Sequence, residues 1–253
     1  MLAIGSGRIG LALQRSAAEK GLPYRLIERT TGWDLLEEPA GEPILVLTRN
    51  DDLAAVLDRV PTERLSDLVF VQNGAMREFL ASRYLPHATR GVLFFAVADR
   101  TSAIQVGANS PVCGHHAGYV SQWFTEAGLP SKGMDWARFS LYELEKMIWI
   151  STFGVLGDAY DKDVGTLAEH HPGEIAVLAD ELRTVGRAVM GVDVELDWLV
   201  NRMCTYSSKI PRFRAGVREF AWRNGWFVKK ATEWGLPQAL HLELLKKGGH
   251  WPS

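Results

Sequence analysis

Met1-Leu2-Ala3-Ile4-Gly5-Ser6-Gly7-Arg8-Ile9-Gly10 opens the chain, and its reading decides the fold. A short apolar run of strand type feeds a GxGxxG turn. Leu11 to Lys20 follows with helical composition and a stop at Gly21, and Tyr24-Arg25-Leu26-Ile27-Glu28 reads as a second strand. That order is a βαβ unit with the glycines at its first turn. Gly5 permits the tight turn, Gly7 lets a pyrophosphate approach the backbone, and Gly10 lets the helix pack on the sheet. With Ser6, Arg8 and Ile9 between them, they place the unpaired N–H groups and partial positive charge of a helix N-terminus where phosphates bind. A βα turn that needs glycine for packing alone is the competing reading, and the strand–turn–helix context favours dinucleotide binding over it.

Composition sets bounds around this unit. The 253 residues are enough for one large or two smaller domains, and a hydrophobic fraction of 47% with net charge −2 suits a globular protein. No basic stripe argues for nucleic acid. No apolar run approaches the roughly 18 residues of a spanning helix, so no membrane partner is expected. The start lacks a basic region and cleavage site, so Met1–Ile4 is expected as a strand rather than a signal peptide. Cys113 and Cys204 are far apart and are expected as reduced structural thiols in a cytoplasmic protein. The adjacent pairs His115-His116 and His170-His171 point their side chains apart on helix or strand, and no metal site is expected.

The cofactor is open at one position. Glu28 ends the second strand, where a carboxylate accepts hydrogen bonds from a ribose diol and favours NADH; Arg29 follows, where a guanidinium pairs with a 2′-phosphate and favours NADPH. Further strands are expected at 43–49, 67–74, 91–97 and 103–107, with helices at 53–57 and 116–127 between and after them. Thr48, Arg49, Gln72 and Asn73 fall at the carboxyl ends of strands, where an open parallel sheet holds its ligands. By local signal alone, Asn73-Gly74 is an ordinary turn dipeptide.

From about residue 136 the strand signals vanish, and eight of the nine tryptophans lie beyond residue 120. Ser140-Leu141-Tyr142-Glu143 has the form of a capping box opening a helix over 141–160. A helix from Pro172 to Met190 stops at Gly191, and further helices are expected at 195–207, 211–224, 226–234 and 237–247. The expected architecture is α/β: a Rossmann-type parallel-sheet domain over 1–135 followed by an all-helical domain over 136–253. Lys146 interrupts an otherwise apolar stretch of the first long helix, Glu145-Lys146-Met147-Ile148-Trp149-Ile150. A lysine there can snorkel to water, pair with a carboxylate, or point into a cleft between the domains and protonate an alkoxide as hydride arrives.

The order of these pieces resembles the ketopantoate reductase family over nearly the whole chain. The carrying residues are Gly5 to Gly10, Ile27-Glu28-Arg29, Val71-Gln72-Asn73-Gly74, Glu145-Lys146-Met147, Ser207-Ser208, and Glu219 with Asn224-Gly225 beyond it. The resemblance implies NADPH, with NADH as the alternative, and a small-molecule 2-oxo acid or related carbonyl compound as substrate. It implies Lys146 as the catalytic lysine, Asn73 as a catalytic residue at the cofactor–substrate junction, Glu219 as the glutamate that holds the substrate and supports catalysis, and Ser208 or its neighbour Ser207 on the substrate carboxylate. Arg49 takes the place of a basic residue near the cofactor phosphate. By analogy the superfamily suggests a homodimer. The chain departs from the family where asparagines usually stand four and eight residues after the lysine: Ile150 and Gly154 are found, and neither side chain can hydrogen-bond a hydroxyl or orient an amine. Such a loss changes the substrate or removes turnover; the alternatives are a true ketopantoate reductase that tolerates Ile150 and Gly154, and a dinucleotide-binding sensor without turnover. Thr30 to Glu42 is also shorter than the family's corresponding region and is expected to lack a small β element.

Overall fold

The structure is a computed structural model that describes residues 1–251. Its N-terminal part runs β1 (Leu2–Ile4), α1 (Arg8–Glu19), β2 (Arg25–Ile27), β3 (Ile44–Val46), α2 (Leu53–Leu57), β4 (Leu68–Phe70), α3 (Met76–Ser82), β5 (Thr89–Gly91), β6 (Phe95–Ala96), β7 (Gln105–Val106), β8 (Ser110–Cys113), α4 (Ala117–Glu126) and β9 (Ser131–Gly133). Seven strands form one sheet in the order β2-β1-β3-β4-β5-β8-β9; β6 and β7 pair separately. The first five are mutually parallel, β8 runs antiparallel to β5, and β9 is parallel to β8. The chain leaves β1 for β2 on one side and returns to β3 on the other, so strand order reverses between β1 and β3. That reversal is where an open parallel sheet leaves a ligand crevice at its strand ends.

Strands β1, β3 and β4 are buried on both faces, which is why they read as continuous apolar runs. Ala3, Leu45, Val69 and Val112 pack with Leu13 and Ala17 of α1 and Val120 and Phe124 of α4 in one cluster. The alternate residues Leu2, Ile4, Ile44, Val46, Leu68 and Phe70 are buried as well. The 30–42 segment forms a 3-10 turn over Trp33–Glu37 and no strand, matching its short length. The expected strand at 91–97 divides: Gly91 ends β5, and Phe95–Ala96 turn away to pair with β7. Strands β8 and β9 carry little alternation, with Pro111 in one and Ser131-Lys132-Gly133 as the whole of the other, and their pairing is fixed by the sheet rather than by local pattern.

The second part contains α5 (Trp136–Tyr160), α6 (Val164–His170), α7 (Pro172–Met190), α8 (Leu196–Lys209), α9 (Asn224–Trp234) and α10 (Ala239–Lys247). Among the described residues from Ser140 onward, every regular element is a helix. The chain forms two compact units: one of 1–72 and 76–139, the other of 73–75 and 140–253. The helix expected to start at the Ser140 capping box starts a turn earlier. Asp135 does the capping, its Oδ1 accepting from the Arg138 N–H at 2.9 Å, and Ser140 is buried inside the helix. No helix forms over 211–219; a 3-10 turn covers Phe220–Trp222. The 211–217 segment is stitched to α6 and α5 instead. Val164 N–H donates to the Phe213 carbonyl, Gly165 N–H to Pro211, and Val217 N–H to Asp158 Oδ2.

Candidate active site

In the first unit, the glycine turn is built around close backbone approach. Gly5 has φ +121°, a conformation that favours glycine, and a β-carbon there would stand 3.0 Å from the Leu47 carbonyl carbon. A β-carbon on Gly10 would fall 2.0 Å from the Gly5 oxygen, so α1 meets its own turn only because residue 10 is glycine. Gly7 differs. It is the N-cap of α1 with extended backbone, its carbonyl accepts from the Leu11 N–H, and a β-carbon on it would meet nothing within 4 Å. The open space lies over the helix N-terminus, where an anion gains from the unpaired N–H groups and the helix dipole. Ser6 is half-buried, Ile9 packs on the core cluster, and the exposed Arg8 donates to the carbonyls of Val97 and Ala98.

The neighbouring strand ends complete this half. Gln72 Nε2 donates to the carbonyls of Val46 and Thr48 at 2.8 and 3.2 Å, tying the ends of β4 and β3 together. Thr48 Oγ1 is buried without a hydrogen-bond partner among the described residues, the kind of orphaned donor that a ligand hydroxyl or phosphate oxygen satisfies. Arg49 is exposed and caps a 3-10 turn over Asn50–Asp52. At the end of β2, Glu28 and Arg29 are both exposed. Sequence reasoning missed Arg59, whose guanidinium donates to the Arg29 carbonyl at 2.9 Å and lies 3.5 Å over the Trp33 ring. These residues fit a dinucleotide: an open helix N-terminus, an unsatisfied hydroxyl, and basic groups beside the end of the second strand.

In the second unit, Lys146 lies on the third turn of α5 and is only 5% exposed. It does not snorkel. Its Nζ donates to the Tyr206 hydroxyl at 3.2 Å and lies 4.3 Å from the Tyr206 ring centroid and 4.6 Å from that of Trp149. Burial pulls the ammonium down to about 7, opposed by the carboxylate of Glu145 and reinforced by the Arg223 guanidinium. Glu145, buried and raised by that burial, accepts from Arg202 Nε at 2.8 Å. Trp149 Nε1 donates to Ser207 Oγ at 3.0 Å, and Ser207 Oγ donates to the Met203 carbonyl.

Glu219 pairs with Arg223 and sits at φ +47°, a left-handed conformation uncommon for glutamate. The same turn receives Asn73-Gly74-Ala75, for the Ala75 N–H donates to the Trp222 carbonyl at 2.8 Å. Lys146, Asn73 and Glu219 therefore all belong to the second unit, with Arg223 linking the lysine and glutamate electrostatically. Ser208 is exposed and donates to the Thr205 carbonyl, whereas Ser207 is buried against Trp149.

In the second unit, sequence reasoning missed Tyr206, Trp149 and Arg223. A tyrosine next to Ser207-Ser208 carries no helical-face signal that distinguishes it from core. Ile150, one turn beyond Lys146, is partly exposed. A β-carbon on Gly154 would lie 3.2 Å from the Gly216 oxygen, and one on Gly157 2.4 Å from that of Ala215. The backbone of 215–216 thus fills the face of α5 at Gly154 and Gly157. Among the described residues, no group of three or more His, Cys, Asp or Glu is placed to hold a metal ion. None of the described helices is long and apolar enough to cross a membrane. Cys113 and Cys204 are free.

No family model matches the sequence, and no curated protein shows significant similarity to it. Solved structures share the fold over nearly the whole chain. D-mandelate dehydrogenase with NADH and anilino(oxo)acetate is 12% identical, with TM-score 0.77 over 98% of this chain and 97% of that one. 2-Dehydropantoate 2-reductase from Methylococcus capsulatus is 18% identical, with TM-score 0.73 over 97% and 94%. A dimeric ketopantoate reductase from Staphylococcus aureus is 14% identical, with TM-score 0.69 over 98% of each chain.

Proposed function

We propose that this chain is a divergent ketopantoate reductase-like enzyme that uses NADPH to reduce the carbonyl of a small 2-oxo acid. The observation that carries the reading is Lys146: a buried amine brought to about 7 and held by Tyr206. Burying an amine without a task is costly, and a proton donor poised near neutrality is what carbonyl reduction needs. Gly5, Ser6, Gly7, Arg8, Ile9 and Gly10 hold the pyrophosphate, and Thr48 and Arg49 bind alongside. Arg29 and Arg59 favour a 2′-phosphate over the bare ribose that Glu28 suits. The reduced nicotinamide supplies the hydride when bound. Lys146 gives its proton to the carbonyl oxygen as the carbon takes the hydride, leaving a neutral amine and an alcohol. Glu219, oriented by Arg223, anchors the substrate with Asn73, and Ser208 reaches its carboxylate, since Ser207 is engaged with Trp149.

Ile150 and the filled face at Gly154 favour an apolar 2-oxo acid side chain over the hydroxylated one of ketopantoate. The shared fold with a D-mandelate dehydrogenase bound to anilino(oxo)acetate supports that direction. The dimeric neighbour supports a homodimer. Cofactor oxidation against a panel of 2-oxo acids tests the reading: turnover that is fastest on apolar side chains and absent in Lys146→Met supports it. Binding of NADPH with no turnover on any member favours the sensor alternative.

A further inference from the structure

The amine of Lys146 must be held in two protonation states in a place that excludes water, and α5 itself offers little for the task. Ile150 is apolar, Gly154 has no side chain, and the hydroxyls of Ser151 and Thr152 lie on other faces of the helix. A hydrogen-bond partner comes from α8. The Tyr206 oxygen stands 3.2 Å from Nζ, and its ring meets that of Trp149 edge-on with centroids 4.8 Å apart. Both rings present π faces to the amine. Trp149 is fixed in turn by Ser207, on the same helix as Tyr206.

We propose that Tyr206 is the positioning residue of Lys146, holding the ammonium by accepting its hydrogen bond and the neutral amine by donating one. This rests on the reading of Lys146 as proton donor. A phenol suits both states: its oxygen accepts from N–H while the lysine is charged, and its O–H turns to the nitrogen lone pair once the proton has gone to the product oxygen. The bond to the charged form is the stronger, so Tyr206 stabilises the ammonium more than the amine. The rings of Trp149 and Tyr206 add to the same preference. The charged groups acting on the amine are Glu145 on its own helix and Arg223 after the 220–222 turn, which push in opposite directions. Arg202 pairs with Glu145, and Glu219 pairs with Arg223.

Tyr206→Phe keeps the ring and its packing and deletes only the oxygen, a change that the fold tolerates. Nitrogen NMR of the full chain, with the Lys146 resonance assigned by its loss in Lys146→Met, reads the titration of the amine directly and needs no substrate. The expected result is a midpoint lower by about one pH unit, a tenfold change in the proton equilibrium. A Tyr206→Phe midpoint within about 0.3 units of the parent overturns the proposal, because a purely structural role for Tyr206 does not move it.

Turnover then separates the two readings. With a midpoint lowered from about 7 by one unit, the protonated fraction at pH 7 falls from one half to about one tenth, so kcat drops about fivefold with KM nearly unchanged. If Lys146→Met keeps the full rate, the proton-donor reading fails, and the shifted midpoint still shows Tyr206 holding the amine.

Discussion

Gly7→Ala separates what the glycine turn does for the fold from what it does for a ligand. Gly7 has φ −75° and ψ −172°, which alanine adopts without strain, and a β-carbon there meets nothing within 4 Å. Two small effects on stability oppose each other. Alanine is a poorer N-cap than glycine by about 0.5–1 kcal/mol, and it reduces the unfolded chain's entropy by about 0.4–1 kcal/mol. The melting temperature therefore stays within about 2–4 °C of the parent. The methyl group, however, occupies the space over the helix N-terminus through which a pyrophosphate reaches the N–H groups. NADPH affinity falls at least tenfold, which is about 1.4 kcal/mol or more. Gly10→Ala gives the reverse signature. Its β-carbon would stand 2.0 Å from the Gly5 oxygen, well inside the roughly 3.5 Å of ordinary contact, and backbone must move. The cost falls at the upper end of about 1–3 kcal/mol. Tryptophan fluorescence titrated with NADPH gives the affinity, and thermal unfolding gives the stability. A Gly7→Ala variant that binds NADPH as tightly as the parent refutes the placement of phosphate on this turn.

Lys146→Met should abolish turnover while leaving NADPH affinity within a few-fold, and it should stabilise the protein by about 1–3 kcal/mol at pH 6. The sign follows from linkage: the amine titrates near 7 when folded and at 10.5 when unfolded. Between those values the unfolded chain binds more protons, so this group's contribution to stability rises with pH there, and its penalty is complete below about 7. Parent and variant should converge in unfolding free energy toward pH 10, and equal stability at pH 6 would contradict a lowered amine. Glu219→Ala leaves the largely buried Arg223 without its carboxylate and should cost about 2–3 kcal/mol in denaturant unfolding, with loss of turnover. Gly154→Asn sets a side chain against the Gly216 carbonyl, so it should lose about 1–3 kcal/mol and gain no ketopantoate activity. A stable Gly154→Asn variant that reduces ketopantoate would show that the 215–216 backbone yields.

The sheet was legible where burial on both faces wrote long apolar runs, as at Ile44-Leu45-Val46 and Leu68-Val69-Phe70. It was illegible at β8 and β9, whose residues follow their neighbours in the sheet and have no period of their own. The helices read well where chemistry marked their ends, such as Pro172 and Gly191 around α7. Ser140 misled because Asp135 offers an equally good cap one turn earlier. The 211–217 segment misled because its backbone bonds go to α5 and α6, which no local pattern records. At the site, Lys146 stood out as a charge in an apolar stretch. Tyr206 and Arg223 did not, because their meaning comes from proximity to Lys146 across helices. Nor could the sequence disclose that Gly154 is glycine for the sake of a crossing backbone.

The most direct test of the account is the rate of NADPH oxidation, followed by loss of near-ultraviolet absorbance, with an apolar 2-oxo acid and with ketopantoate, across pH 5–9. Turnover is predicted with the apolar acid in preference to ketopantoate. It should fall as pH rises through about 7 as the Lys146 ammonium is lost, and vanish in Lys146→Met. An oxidation rate that rises with pH through that range, or that survives in Lys146→Met, contradicts it.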